Sequence, residues 1–86
     1  MINVYEMDIV VATVTDDVGI IEAGTYGYSV LNYGAVAGEF DGNVLPVGVS
    51  ISPPALGYLC RYQEKSFDAT GTTFLVIKVI RKGQTL

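Results

Sequence analysis

The chain has 86 residues and a net charge of −4; half of its residues are hydrophobic and 16% are charged. This length leaves room for a single domain over residues 1–86, and the composition excludes a disordered chain. No apolar run approaches the roughly 20 residues of a membrane helix, and no basic segment precedes an apolar run at the start, so we expect no membrane partner and no signal peptide.

The first predicted element is a strand over Met7–Thr15, which is rich in β-branched residues and holds no turn signal. Both of its alternating faces are apolar, and a strand of this kind is expected to be central in a sheet or covered by another element. The following segment, Asp16–Gly24, contains Asp-Asp and glycine and is predicted to be a loop.

The middle of the chain predicts two more strands and a hairpin. Tyr26–Leu31 alternates with Tyr26, Tyr28 and Val30 on one face, and Ala35–Phe40 continues as a strand of small residues. Asp41-Gly42-Asn43 then separates two apolar runs, and such residues tolerate the positive φ of a type I′ turn.

The last part of the chain ends in the most apolar segment. Val44–Ser52 alternates cleanly, but Pro46 cannot donate to a ladder, so this strand is expected to lie at an edge there or to begin near it. Ala55–Lys65 fits either a strand or a short helix near 54–64, and Phe67–Thr73 is polar enough for a loop. Phe74–Arg81 is a strand whose inner face is expected to carry Leu75, Ile77 and Val79, with Lys78 outside.

Five or six short strands with turn signals every eight to twelve residues predict an all-β fold, or a mostly β fold with one short helix near 54–64. The count favours a small antiparallel barrel or sandwich.

The counts of cysteine and histidine exclude several kinds of chemistry. Cys60 is the one cysteine, and there is no histidine. A lone cysteine cannot form an internal disulfide, which suits a reducing compartment, so we expect a cytoplasmic or virion-associated protein. Ser-His-Asp and Cys-His triads cannot be built, and a structural zinc site does not fit within one chain. We therefore expect no enzyme activity, no cofactor and no metal.

Charge is divided unevenly along the chain. Residues 1–60 contain seven acidic and no basic side chains, whereas residues 61–86 contain five basic and two acidic ones. The split predicts an acidic face and a basic edge, unless the fold interleaves the two halves. Because five cations face nine acids, we expect no nucleic-acid partner. The basic edge would consist of Arg61, Lys65, Lys78, Arg81 and Lys82.

The order of these elements over residues 8–52 resembles the prokaryotic SH3-like small β-barrels. The pieces that carry the resemblance are "DIVVAT", "DDVGIIEAG", "GTYGYSV" and "GEFDGN". Gly24 and Gly27 take the places of two corner glycines, and Val30 takes that of a buried valine. The resemblance implies a binding or accessory subunit and no chemistry.

The stretch "GTYGYSVLNYG" is interpreted as a bent strand, in which glycine relieves crowding at the bends. If the tyrosines of this stretch take part in binding, contact with a protein is favoured over stacking on nucleic-acid bases, because tyrosine is enriched at protein interfaces. The hypothetical interface consists of Tyr26, Tyr28, Val30, Tyr33, Tyr58 and Tyr62.

A domain of this size has one interior, yet its strands are apolar on both faces. The leading hypothesis is therefore a non-enzymatic protein–protein interaction or assembly module that associates with itself or serves as an accessory or phage-type structural subunit, because a symmetric copy is the commonest cover for such a surface. The alternative is a small acidic phage-type inhibitor that blocks a host nucleic-acid-binding protein.

Overall fold

The computed structural model describes residues 6–53 and 61–83. These residues form eight strands and no helix, which confirms the predicted all-β class. The strands are β1 (Met7–Thr15), β2 (Val18–Ile21), β3 (Gly27–Asn32), β4 (Gly38–Phe40), β5 (Asn43–Leu45), β6 (Ser50–Ile51), β7 (Lys65–Asp68) and β8 (Thr73–Arg81).

The strands form two antiparallel sheets of four. In the first sheet the order is β1-β8-β3-β6, and in the second sheet it is β2-β7-β4-β5. The sheets pack face to face as an open sandwich, and neither closes into a barrel. Ring pairs join them across the interior: Tyr28 lies 5.7 Å from Phe40, and Phe67 lies 5.9 Å from Phe74, measured between ring centroids.

The described residues form eight strands rather than the predicted five or six, because tertiary pairing overrides three local signals. The predicted loop Asp16–Gly24 contains β2, which gains partners along β7. The predicted strand Val44–Ser52 is divided into β5 and β6 by a turn that contains Pro46 and Gly48, the latter at a φ of 79°. The predicted loop Phe67–Thr73 likewise begins inside β7.

The question of strand or helix over Ala55–Lys65 falls mostly outside the described residues, since these omit 54–60. Within the described part, residues 61–64 form no regular element and Lys65 begins β7.

The predicted hairpin is confirmed. Phe40 pairs with Asn43, so that Asp41 and Gly42 form a two-residue loop between β4 and β5. Their φ angles are 52° and 78°, and two successive positive φ angles are the signature of a type I′ turn. This turn fixes the register of the hairpin.

The predicted strand near the C-terminus is also confirmed, as β8, but its inner face is the opposite one. Phe74 and Val76 are buried, at 0% and 1% exposure, whereas Leu75, Ile77 and Val79 lie on the other face and are half-buried. Since both faces of this strand are apolar, alternation alone does not distinguish them. The largest side chain, Phe74, takes the interior position.

The interior also holds one polar residue that joins four segments. Asn32, at the end of β3, has no exposed surface. Its Nδ2 donates to the carbonyl oxygens of Val36 and Leu45, both at 2.9 Å, and its Oδ1 accepts from the Gly34 N–H at 3.1 Å and the Thr72 hydroxyl at 2.8 Å. All the hydrogen-bonding capacity of this amide is therefore used inside the protein.

Candidate interaction surface

The outer face of the first sheet, the face turned away from the second sheet, is apolar. Side chains alternate between the two faces along a strand. Since Val30, Phe74 and Val76 point into the core, the residues that alternate with them point to the outer face. The pairing register aligns them in three rows across β1, β8 and β3. The rows are Ile9, Val79 and Gly27; Val11, Ile77 and Ser29; and Thr13, Leu75 and Leu31.

None of these nine positions carries a charge. Ile9 is 67% exposed and Val11 is 59% exposed, whereas the β8 residues between them and β3 are half-buried. An apolar surface of this extent on a small domain is typical of an interaction site.

Strand β1 lies at the edge of the first sheet, and its outward backbone groups can be identified. Asp16 N–H donates to the Thr72 oxygen at 3.0 Å, and Lys82 N–H donates to the Glu6 oxygen at 2.9 Å. Because hydrogen-bonded positions alternate along an antiparallel pair, the even-numbered residues of β1 turn their backbone groups toward β8. The outward N–H and C=O groups therefore belong to Met7, Ile9, Val11, Thr13 and Thr15. No strand in residues 6–53 or 61–83 pairs with this side of β1.

This edge differs from the other sheet edges in length and chemistry. The edge strands β2, β5 and β6 have four, three and two residues, and Pro46 directly follows β5. Short strands, proline and lysine are the usual protection against edge-to-edge pairing. β1 has nine residues without proline, glycine or a basic side chain, and even its inner-face Val10 is 41% exposed. Of the two expectations for this doubly apolar strand, a central position is wrong, because β1 pairs among the described residues with β8 alone. Cover by a further element stays a prediction.

Two residues of the hypothetical interface lie in the core and are corrected. Val30 has 0% exposure and Tyr28 has 9%, because β3 is an inner strand whose side chains on this face meet the second sheet. Tyr28 packs against Phe40 and, edge to face, against Tyr62. Burial raises the pKa of the Tyr28 phenol. Neither residue presents a side chain that a partner could contact.

The other predicted tyrosines are not gathered into one surface. Tyr26 is half-buried; its ring lies 5.3 Å from the Arg61 guanidinium, whose Nε donates to the phenol oxygen at 3.1 Å. Tyr62 is half-buried against the core, and Tyr58 falls outside the described residues. Tyr33 is 50% exposed, and its hydroxyl lies 3.5 Å from Thr13 Oγ1, at the end of the apolar outer face.

The sequence does not single out the residues that form most of this surface. Ile9 and Val11 belong to a strand that is predicted as apolar on both faces, and Ile77 is predicted on the inner face of the last strand. The signal that could have identified them is the apolar character of both faces in two long strands, which one core cannot bury.

The predicted basic edge is largely neutralised. Three acids from the first part of the chain pair with three bases from the last part, so the fold interleaves the two halves. The pairs are Asp41 with Lys65 at 3.4 Å, Glu22 with Lys78, and Glu6 with Lys82 at 2.7 Å. The remaining bases, Arg61 and Arg81, line a shallow depression together with Lys82 and Tyr26.

The pair of Glu22 and Lys78 is the least exposed of the three, with side-chain exposures of 34% and 16%. Partial burial alone would raise the pKa of Glu22, but hydrogen bonds from Lys78 and from its own backbone, together with the Lys78 charge, lower it below its ordinary value of 4.5. Because the pKa of Glu22 is lower in the folded state, its carboxylate stabilises the protein fully when the pH is above the pKa of the unfolded state. This stabilisation is lost as the pH falls through the pKa of the folded state.

We expect Glu22→Gln to lower the free energy of unfolding at neutral pH by at most about 1 kcal/mol, because the pair is partly solvated. The free energies of unfolding of the two proteins, measured by urea titration, should converge as the pH falls below 4.5, because the wild-type carboxylate then also becomes neutral. Glu64→Gln, at an exposed position between strands, is the control and should change little. A constant difference between wild type and Glu22→Gln down to low pH would contradict this assignment.

The adjacent carboxylates Asp16 and Asp17 act as turn acceptors. Asp16 Oδ1 accepts from the Gly71 N–H at 2.9 Å, and Asp17 Oδ1 accepts from the Val18 N–H at 2.8 Å. No group of three or more His, Cys, Asp or Glu side chains in the described part of the chain is arranged to hold a metal ion. Nor does that part contain a helix of sufficient length and apolarity to cross a membrane.

Within residues 6–53 and 61–83 the surface is thus defined by an apolar face and by a strand edge that no other strand pairs with. Comparisons of the chain with protein-family models, with curated proteins and with solved structures found no match.

Proposed function

We propose that this domain is a non-enzymatic assembly module whose copies associate through the first sheet. The observation that carries the proposal is the apolar outer face, with Ile9 and Val11 more than half exposed beside the free edge of β1. Burial of apolar surface is the main driving force for association between proteins.

The layer arrangement supports this proposal. A small domain buries one core between two layers, and here that core lies between the two sheets around Phe40, Phe67 and Phe74. In the described residues no third layer covers the outer face of the first sheet. Association through the first sheet would place a second protein surface against or beside this face, and an identical copy is the commonest source of such a surface.

The distribution of charge favours assembly over the acidic-inhibitor alternative. An inhibitor that imitates nucleic acid needs unopposed carboxylates, but Glu6, Glu22 and Asp41 each lie beside a lysine. The role of an accessory or phage-type structural subunit, in the cytoplasm or in a virion, fits a module that acts by association. The resemblance to SH3-like small barrels also implies a binding role.

The test compares two exposed aliphatic residues on different sheets. Ile9, on the outer face of the first sheet, and Val44, on β5 of the second sheet, are 67% and 68% exposed. We expect Ile9→Thr to weaken self-association by roughly 10- to 100-fold, because a symmetric interface loses the apolar contact twice. Val44→Thr should leave it unchanged.

The measurement is sedimentation equilibrium across the micromolar range for the wild type and both variants, with circular dichroism to confirm that each is folded. A wild type that stays monomeric at the highest concentration would contradict the proposal. If Ile9→Thr and Val44→Thr weaken self-association equally, the interface does not lie on the first sheet.

A further inference from the structure

We propose that two copies pair their β1 strands antiparallel about a two-fold axis at Val11, so that their four-stranded first sheets become one continuous eight-stranded sheet. This inference rests on the proposed self-association and specifies its geometry. The occupant of the free edge is a second copy of this chain.

Hydrogen bonding selects the register. The five outward-facing residues of β1 are Met7, Ile9, Val11, Thr13 and Thr15, spaced symmetrically around Val11. In the proposed register Val11 pairs with Val11 of the second copy, Ile9 with Thr13, and Met7 with Thr15. Five N–H and five C=O groups on each copy then find partners, which makes ten hydrogen bonds. A shift of the axis by one residue, to Val10 or Ala12, would match four outward residues on each strand and give eight bonds, and a shift to Ile9 or Thr13 would match three and give six.

The side chains are compatible with the same register. On the outer face Val11 meets its own counterpart, so the two apolar outer faces become continuous. On the inner face exposed Val10 lies opposite Ala12 of the second copy. Asp8 is the one charged residue of β1 and lies opposite Val14, so no like charges face each other within the paired strands. Edge pairing thus gives the side chains of β1 cross-strand neighbours on both faces and leaves the outer face of the merged sheet open to solvent. Stacking of two outer faces would contact β1 side chains on one face only and would leave its outward backbone groups unpaired.

The strand ends place both signs of charge near the seam. In the proposed register Glu6 lies opposite Asp16 of the second copy, and Lys82, which pairs with Glu6 at 2.7 Å, lies one strand farther away, as does Arg81 beside Met7. With strands spaced ~4.8 Å apart, the two bases are about 10 Å from the acids of the second copy, close enough to offset the repulsion between Glu6 and Asp16 at low ionic strength.

The pairing is self-limiting. A two-fold contact uses the same strand on both copies, so the dimer is closed and leaves no second β1 edge for a third copy. The outermost strands of the merged sheet would be the two copies of β6, which has two residues and offers little to pair with.

The first experiment measures backbone amide exchange by NMR in the wild-type protein under associating conditions. We expect the amides of Ile9, Val11 and Thr13 to exchange at least ~10-fold more slowly than in dilute monomer, because their N–H groups point to the second copy. The even-numbered amides of Val10 and Ala12 bond to β8 and should be protected in both states. Association with fast exchange at Ile9, Val11 and Thr13 would overturn the inference and leave the proposed function standing.

The second experiment tests the position of the axis with charge. Because Val11 faces itself, Val11→Lys and Val11→Glu should each weaken association at least ~10-fold through like-charge repulsion, and an equimolar mixture should restore a dimer as a heterodimer. Val44→Lys, at a similarly exposed site of the second sheet, is the control and should remain dimeric. A mixture that stays monomeric while both variants remain folded would contradict an axis at Val11.

The third experiment separates edge pairing from stacking of the outer faces. Val11→Pro keeps an apolar side chain on the outer face and removes an outward N–H without touching the β1–β8 bonds. We expect it to be monomeric with an unchanged circular dichroism spectrum. A folded Val11→Pro protein that still dimerises would overturn edge pairing, whereas a wild type that never associates would overturn the proposed function as well.

Discussion

Replacement of Asn32 by alanine is expected to lower the free energy of unfolding by about 3–5 kcal/mol, a large fraction of the total stability of a small domain, which is of the order of 5–15 kcal/mol. The reason is that the substitution deprives four polar groups of partners at once, two of them in buried bonds and two in partly buried ones. The carbonyl oxygens of Val36 and Leu45, the Gly34 N–H and the Thr72 hydroxyl all bond to this one amide. Each unsatisfied buried group costs about 1–3 kcal/mol, and partial access of water to some of them reduces the sum.

The measurement is urea unfolding at neutral pH, followed by circular dichroism. Asn43→Ala is the matched control, because Asn43 is exposed and makes a single bond, from its Nδ2 to the Asp41 oxygen at 3.2 Å. Thr72→Val is an intermediate case that removes one of the four bonds to Asn32. If Asn32→Ala is no more harmful than Asn43→Ala, the buried amide does not join these segments as the structure indicates.

The second large effect is expected at Gly38, where alanine should cost about 3 kcal/mol or more. A Cβ at this buried position would lie 2.7 Å from the backbone oxygen of Asp68 and 2.7 Å from Cε1 of Phe74. The Asp68 carbonyl belongs to β7, which pairs with β4, and Phe74 is fully buried in the core. Neither neighbour can move without breaking strand pairing or repacking the interior.

Gly27→Ala is the matched control for this substitution. A Cβ there would meet only the Val79 side chain, at 3.5 Å and 3.7 Å, which is ordinary van der Waals contact. We expect a change within about 1 kcal/mol, since alanine is also tolerated in a strand better than glycine. Thermal unfolding of the two variants side by side measures the difference. Equal losses at Gly27 and Gly38 would show that backbone freedom, rather than space, sets the requirement for glycine.

The contrast between these glycines shows what the sequence could and could not predict. The resemblance drew attention to Gly27 as a corner residue, but the space at that position admits a methyl group. The close contact at Gly38 involves residues 30 or more positions away, and no local pattern reports such contacts. By contrast, the turn at Asp41 and Gly42 depends only on the φ preferences of its own two residues and was predictable.

The two long strands show the same division. β-branched composition located β1 and β8 almost to the residue, because strand propensity is mostly local. The buried face of β1 and of β8 is the one against which the second sheet packs. Because both faces of these strands are apolar, their sequences do not indicate which face that is. The burial of Tyr28 and Val30, and the pairing of Glu22 with Lys78 across 56 residues, likewise require the assembled sheets.

The pairing of β1 with β8 also has a consequence for biosynthesis. Its aligned residues are separated by between 58 positions, for Thr15 and Thr73, and 74 positions, for Met7 and Arg81. β1 therefore leaves the ribosome before β8, its neighbour in the first sheet, has been made. Such distant pairing makes folding slow, and during the delay the apolar β1 segment is open to aggregation and to chaperone binding.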